Sequence, residues 1–247
     1  MTDVPRTHPR YESLMTRARI EEGVKEGLVA TQGLIAHGRG EAFDYLLGEA
    51  TIPPAAEAER AAAAHLLLAR NPVLSVNGNT AVLVPDELAA LQKALRCKVE
   101  VNLFHRTEAR VEKLTAWLEK HGCTNVLGRG AQPTIPGLDH DRGRSTIEGI
   151  FSADVVLVPL EDGDRCQALR AMGKTVIVVD LNPLSRTAKS ASVSITDNVR
   201  RAVPAITREV GVLSKSEAQK VAASFDAARN LRETLDFIAR RLTTLSG

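Results

Sequence analysis

Aromatic side chains are scarce in this 247-residue chain, at 3% of the sequence. So few rings make the stacking platforms that grip single-stranded nucleic acid improbable. Cysteine is rarer still: Cys97, Cys123 and Cys166 are scattered with no paired spacing. That argues against a disulfide framework and against a zinc site, and it fits a reducing, cytoplasmic compartment. Charge of one sign is not in excess. A net +2 at pH 7 is too small to announce nucleic acid or a membrane surface as partner. No apolar stretch approaches the roughly 18 residues of a membrane span, and the polar N-terminus has no signal-peptide core. Two nucleotide signatures are also missing. No G-x-x-x-x-G-K-[ST] occurs, so the P-loop cradle is absent. No G-x-G-x-x-G follows a strand either, because Gly128-Arg-Gly130 lacks the third glycine and a helix behind it. His105-Arg-Thr-Glu108 is not the paired-histidine motif of the class I nucleotidyltransferases.

What is present is an ordinary globular composition, 44% hydrophobic and 25% charged, arranged in three zones of one chain-long domain. Residues 1–70 hold no convincing strand. Tyr11 to Lys25 has helix-forming composition, Gly27 and Gly33 interrupt it, Ala42 to Leu47 reads as a short helix, and Pro53-Pro54 opens a long one. Residues 71–208 alternate strand and helix. Strands are expected at 72–76, 98–101, 126–127, 154–158, 175–179 and 193–195, with helices at 85–95, 107–121, 145–150 and 165–172. Residues 209–247 are helical. Repeated β-α-β with short connections predicts an α/β fold: a Rossmann-like, mostly parallel sheet flanked by helices, with helical N- and C-terminal segments. The stretch 128–144, rich in Gly, Pro and Arg, reads as a long functional or mobile loop.

In parallel sheets, ligands bind at the carboxyl ends of the strands. Polar clusters stand at several of these ends. Asn77, Asn79 and Thr80 follow the first strand, with a capped strand-to-helix turn as the plainer account. Asn102, His105 and Arg106 follow the second, ahead of the N-cap candidate Thr107. Asp180, Leu181, Asn182, Ser185, Arg186, Thr187 and Lys189 follow Thr175-Val-Ile-Val-Val179, and suit a nucleotide with its ribose and phosphates. Thr196-Asp-Asn198 precedes the helix that begins at Val199. The N-terminal zone adds Arg6, Arg10, Arg17, Arg19 and Arg39, and the glycines of Gly38-Arg-Gly40 place Arg39 on a tight turn.

These segments together carry a family likeness. His8-Pro-Arg-Tyr-Glu-Ser-Leu14, Gly38-Arg-Gly-Glu-Ala-Phe-Asp-Tyr-Leu-Leu-Gly48 and Ser75-Val-Asn-Gly-Asn-Thr-Ala81 come first. Val101-Asn-Leu-Phe-His-Arg-Thr-Glu108, Asp180-Leu-Asn-Pro-Leu-Ser-Arg-Thr-Ala188 and Ile195-Thr-Asp-Asn198 follow in order. The chain resembles the archaeal phosphopantothenate synthetases, the 4-phosphopantoate–β-alanine ligase family. The resemblance implies a homodimeric, cytoplasmic enzyme of coenzyme A biosynthesis. It would join (R)-4-phosphopantoate to β-alanine through an acyl-adenylate, converting ATP to AMP and pyrophosphate with Mg²⁺, and would bind neither nucleic acid nor membrane. The family's ATP contacts fall on Arg17, Arg39, Asp180, Leu181, Asn182, Arg186, Thr187, Asn198 and Val199. Asn77, Asn79, Thr80, Asn102, His105 and Arg106 are the candidates for the other substrate, with the Arg129–Arg144 loop as their rival. Catalytic residues and metal ligands stay unassigned. The competing readings are an NAD(P)- or nucleotide-sugar-binding enzyme of Rossmann-like fold and a non-catalytic nucleotide-sensing module.

Overall fold

The computed structural model describes residues 4–160 and 162–245. Helices α1 (Tyr11–Lys25), α2 (Gln32–Leu47) and α3 (Pro53–Leu68) precede the first strand, β1 (Pro72–Val76). After it come α4 (Gly78–Leu83), α5 (Pro85–Leu95), β2 (Lys98–Val101) and α6 (Glu108–Lys120). The sheet is completed by β3 (Val155–Pro159), α7 (Gly163–Ala171), β4 (Thr175–Val179), α8 (Arg186–Ser190) and β5 (Val193–Ile195). The chain then runs through α9 (Val199–Val212), α10 (Lys215–Ser224) and α11 (Ala227–Leu245). None of the described helices is long and apolar enough to cross a membrane.

All five strands are parallel, in the order β2-β1-β3-β4-β5. Their runs of valine, isoleucine and leucine are buried on both faces, as the two-residue period of a strand requires. Val155 and Leu157 point into one core, Val156 and Val158 into the other. The first core is closed by helices: Ala58, Ala62 and Leu66 of α3, Leu88 and Leu91 of α5, Leu114 and Leu118 of α6, Val203 and Ile206 of α9. The second has Cys166, Ala168 and Leu169 of α7 on the helical side, and takes Ile135, Leu138 and Ile150 from the long segment before β3.

That segment is therefore a wall rather than a loose loop. Its organiser is Glu100, fully buried on β2. One carboxylate oxygen accepts Thr146 N–H at 2.9 Å; the other accepts the Thr146 hydroxyl at 2.8 Å and Ile150 N–H at 2.7 Å. Burial pushes this carboxyl up, and those three donors pull it back. They also explain why the helix expected at 145–150 does not form: its amides turn to a side chain, and only a 3₁₀ turn at Ile150–Ser152 follows. The strand expected at 126–127 shrinks to one parallel bridge, Leu127 to Glu100. Gly128 ends it at φ +127°, where a Cβ would lie 2.7 Å from the Val101 carbonyl.

The largest departure is α2. Expected only over 42–47, it begins at Gln32 and absorbs Gly33, Gly38 and Gly40, so Arg39 sits on a helix and not on a tight turn. Packing overrides the weak propensity of glycine. A Cβ on Gly33 would stand 2.3 Å from Asn79 Oδ1, and one on Gly40 would meet Leu181. Small residues let α2 lie close over the sheet's carboxyl edge. Gly78 makes the same bargain below, with a hypothetical Cβ only 2.5 Å from the Leu28 carbonyl oxygen.

Gly78→Ala should lower unfolding stability by about 1–3 kcal/mol, since a backbone atom must yield. Gly211→Ala on α9 meets nothing within 4 Å and should raise stability by about 0.4–1 kcal/mol. Urea unfolding of the two variants measures both signs.

Candidate functional site

The strand order places a switch point between β1 and β3, from which the sheet grows in both directions. Crevices at such points hold ligands. Here the crevice is bridged by Asn77. Its Nδ2 donates to the carbonyls of Pro159 at 2.9 Å and Leu160 at 3.2 Å, both at the end of β3. Its Oδ1 accepts Thr80 N–H at 3.0 Å and the Thr80 hydroxyl at 3.1 Å, capping α4. Above this bridge lies a cavity of about 380 Å³, within the range for small-molecule sites. Loops after β1, β2, β3 and β4 all reach it, and α2 roofs it.

On the β4 side stand Asp180, Leu181 and Asn182. Asp180 accepts Asn182 N–H at 3.0 Å and the Ser185 hydroxyl at 2.7 Å. Ser185 then caps α8 by accepting Ala188 N–H. Burial raises the Asp180 carboxyl, against the pull of these donors and of the Arg39 charge. Arg39 is exposed and makes no hydrogen bond or ion pair with a described residue. It shares its helix face with Gln32, Gly33, Ala36 and Gly40, spaced three and four apart, and all five line the cavity.

On the β2 side, Leu103, Phe104 and His105 line the cavity with Arg110 from the first turn of α6. Arg110 is half-buried and donates only to carbonyls, those of His105 and Leu28. Among the described residues it has no carboxylate partner, and burial lowers its pKa. Arg142 enters from the long segment, buried and 3.4 Å from Asp162 Oδ2. A second hollow, sharing Gln32, His105 and Arg110, opens beside this end. Three inter-strand spacings separate the β2 loop from the β4 loop, about 14 Å. Arg39 stands on the roof of that span and Arg110 near its β2 end, and neither forms an ion pair with a carboxylate among the described residues.

Of the residues singled out from sequence, Arg39, Asn77, Asn79, His105, Asp180, Leu181 and Asn182 share the cavity. Arg142 of the rival segment joins them, and the other named candidates lie outside its lining. Thr80 is fully buried behind Asn77. Asn102 is buried and donates to the carbonyls of Arg142 and Arg144, so it holds the wall. Arg106 points away, to the Gly128 carbonyl at 2.7 Å and to Glu108 at 3.2 Å. Arg17 lies across α2, paired with Glu41 at 2.9 Å. Arg186 is exposed and paired with Asp164 at 2.8 Å, with Thr187 buried beside it. Asn198 caps α9 with Oδ1 and donates Nδ2 to Asp44 at 3.0 Å, and Val199 is buried. Gln32, Leu160 and Asp162 went unnoticed. The strand-end rule, applied to β3 as well, would have found the last two; nothing in the sequence singles out Gln32.

The chain has close relatives of known name. A family model described as phosphopantothenate/pantothenate synthetase matches residues 54–241. A Thermococcus kodakarensis protein named 4-phosphopantoate–β-alanine ligase is 52% identical over 250 residues, covering 100% of this chain and 96% of its own. A protein of the same name from Methanosarcina mazei is 50% identical over 249 residues, covering 100% and 98%. Another, from Methanospirillum hungatei, is 52% identical over 239 residues, covering 97% and 98%.

The bridge at the switch point gives a direct test. Asn77→Asp keeps the cap acceptor but sets a carboxylate oxygen against two carbonyls. It should cost about 1–3 kcal/mol in urea unfolding, a loss that a capping role alone would not produce.

Proposed function

The chain belongs to the phosphopantothenate/pantothenate synthetase family, and from that premise we propose that it is an ATP-dependent 4-phosphopantoate–β-alanine ligase of coenzyme A biosynthesis. The observation that carries the reading is the cavity itself. It joins an adenylate-sized polar loop, Asp180 to Asn182, to an anion end at Arg110, across the switch point.

In this reading ATP lies along the β4 side, under α2, with Arg39 facing its phosphates. Asp180 and Asn182 hold the ribose side. Phosphopantoate lies toward β2, its phosphate between Arg110, Gln32, Asn79 and His105. The carboxylate of phosphopantoate attacks the α-phosphorus, the bond to the pyrophosphate oxygen breaks, and pyrophosphate leaves with its electron pair. The amine of β-alanine then attacks the acyl carbonyl, loses a proton, and AMP departs. No side chain needs to form a covalent bond. Catalysis is positioning and charge stabilisation, with Leu103, Leu160 and Leu181 lining the cavity and limiting water at the mixed anhydride.

Mg²⁺ is compatible with this donor set in one way only. No group of three His, Cys, Asp or Glu among the described residues could hold a metal ion. Magnesium commonly rests on substrate phosphates with one or two carboxylates, and Asp162 and Asp180 are the two that line the cavity. Bound there, it would neutralise phosphate charge.

A second copy of the chain is the partner we assign to the outer face of α2. Leu34, Ile35 and Tyr45 are exposed there, beside the Arg17–Glu41 pair. A dimer on this face would cover the roof of each cavity and bring Arg17 near its partner's α2. Ile35→Glu should then convert a dimer into a monomer in analytical ultracentrifugation.

The reaction itself is checked by incubating the protein with ATP, Mg²⁺, phosphopantoate and β-alanine, and measuring AMP and pyrophosphate. Formation of ADP, or no turnover with ATP still bound, would overturn the ligase reading. Arg39→Ala should raise KM for ATP about ten- to hundredfold, the worth of a charged hydrogen bond. Arg186→Ala, already paired with Asp164 at the surface, should change it much less. Arg110→Met should raise KM for phosphopantoate and leave that for ATP near normal.

A further inference from the structure

Three buried carboxylates meet beneath the far end of α2: Asp44 of that helix, Glu59 of α3, and Asp197 in the turn after β5. A single guanidinium serves two of them. Arg201 Nη2, from α9, lies 2.5 Å from Asp44 Oδ1 and 2.5 Å from Asp197 Oδ1. Asp197 is further filled by the Thr51 hydroxyl and by Asn198 N–H, each at 2.6 Å. Glu59 is left over. It is 3% exposed, and no donor of a described residue reaches its Oε1.

The charged groups facing Glu59 are Asp197 from the β5–α9 turn and Arg201 and Arg208 from α9. Arg201 is committed to the two aspartates, and Arg208 is exposed to solvent. Arg60 on the same helix pairs with Glu209. From α11, Arg229 takes Glu57; from α10, Glu217 closes a capping box with Ser214. Two neighbouring carboxyls with no donor between them cannot both stay ionised out of water. Burial first, and the Asp197 charge second, push Glu59 from the ordinary 4.5 up to about 8.

The network touches the proposed nucleotide site from two sides. Asp44 sits five residues beyond Arg39 on α2 and accepts Asn198 Nδ2. Asp180 N–H donates at 3.0 Å to Ile195, two residues before Asp197. We propose that Glu59 is a positioning residue: neutral, it donates a proton to Asp197, and that bond locks α2 and the β5–α9 turn together so that Arg39 and the Asp180 loop face the nucleotide. Loss of the proton sets two charges against each other and loosens α2. This rests on the nucleotide reading of the cavity. The sign follows from linkage: a carboxyl whose folded pKa is raised stabilises fully below its unfolded value, and the gain is lost as pH rises through the folded one.

The test compares wild type with Glu59→Gln, which is permanently neutral and still a donor. ATP affinity and melting temperature are measured from about pH 6 to about pH 9.5. Wild-type affinity should fall, by up to about tenfold per pH unit above about pH 8, while the variant keeps the low-pH affinity throughout. The wild-type melting temperature should fall relative to the variant's between about pH 6 and about pH 8, where only the unfolded state has lost the proton, and the two should run parallel above about pH 8. A merely structural glutamate would lower both readouts equally at every pH. The same alkaline fall in both proteins, or none in wild type, overturns the proposal. If wild type binds no ATP at any pH, the nucleotide reading fails separately, and the melting temperatures alone decide: profiles that stay parallel from about pH 6 to about pH 8 overturn the shared proton. Should the variant not fold, the infrared carbonyl band of a protonated carboxyl is followed in wild type. A band lost near pH 8 supports the proton, and its absence there overturns it.

Discussion

Asn77 joins the two strands from which the sheet grows in opposite directions. β1 and β3 pair only from Pro72 and Val155 to Leu74 and Leu157, and their connections leave on opposite sides, so a gap opens at their carboxyl ends. A carboxamide has both kinds of hydrogen-bonding atom, and each is used here. The amide nitrogen closes the gap toward β3; the oxygen starts α4 on the other side. An ionised aspartate could not donate at all, and a hydroxyl has one proton where the two carbonyls of Pro159 and Leu160 take two. Everything that lines the cavity is placed relative to this joint: α4 and Asn79 directly, Leu160 through its carbonyl, and α2 through Asn79, which donates to the Gly33 carbonyl at 2.9 Å.

The two faces of the sheet are closed by different means. One is covered by four helices whose apolar stripes meet a continuous layer of valine and leucine. The other depends on an irregular segment tied down by polar side chains buried on or beside β2. Glu100 and Asn102 hold it from the sheet, and Arg106 N–H reaches Asp141 at 3.3 Å. Buried polar groups demand partners, and here the partners are backbone amides and carbonyls that no helix or strand would have satisfied. The same residues that secure the wall thereby deliver Arg142 to the cavity. A scaffold and a ligand site are built from one set of hydrogen bonds.

Much of this was legible from sequence. Strands buried on both faces announce themselves as consecutive β-branched residues, and the polar residues after them mark the ligand edge without any knowledge of tertiary contacts. Asn77, Asp180 and Asn182 stand out in that way, and Arg39 through its flanking glycines and the family likeness. What stayed hidden depends on contacts between distant segments. The helix through Gly33, Gly38 and Gly40 rests on a contact the sequence does not show, the close approach of Gly33 to Asn79. The failure of 145–150 to become helical follows from a glutamate some 50 residues earlier in the chain. Asn102 and Arg106 have the right chemistry at the right strand end, but the wall claims their side chains first. Residue type at a strand end therefore predicts who is near a ligand edge. It does not predict which neighbour a long side chain turns toward.

Leu181 links these observations in a different way. Flanked by the polar cavity-lining residues Asp180 and Asn182, it inserts into a small apolar cluster with Leu47, Ile52 and Ala55, closed by Phe237 and Ile238 of the last helix. The cavity-lining loop and the docking of the carboxyl-terminal helix thus depend on one apolar plug. Truncating Phe237 or Ile238 would therefore be felt at Leu181 and at the cavity wall, although neither residue lines the cavity.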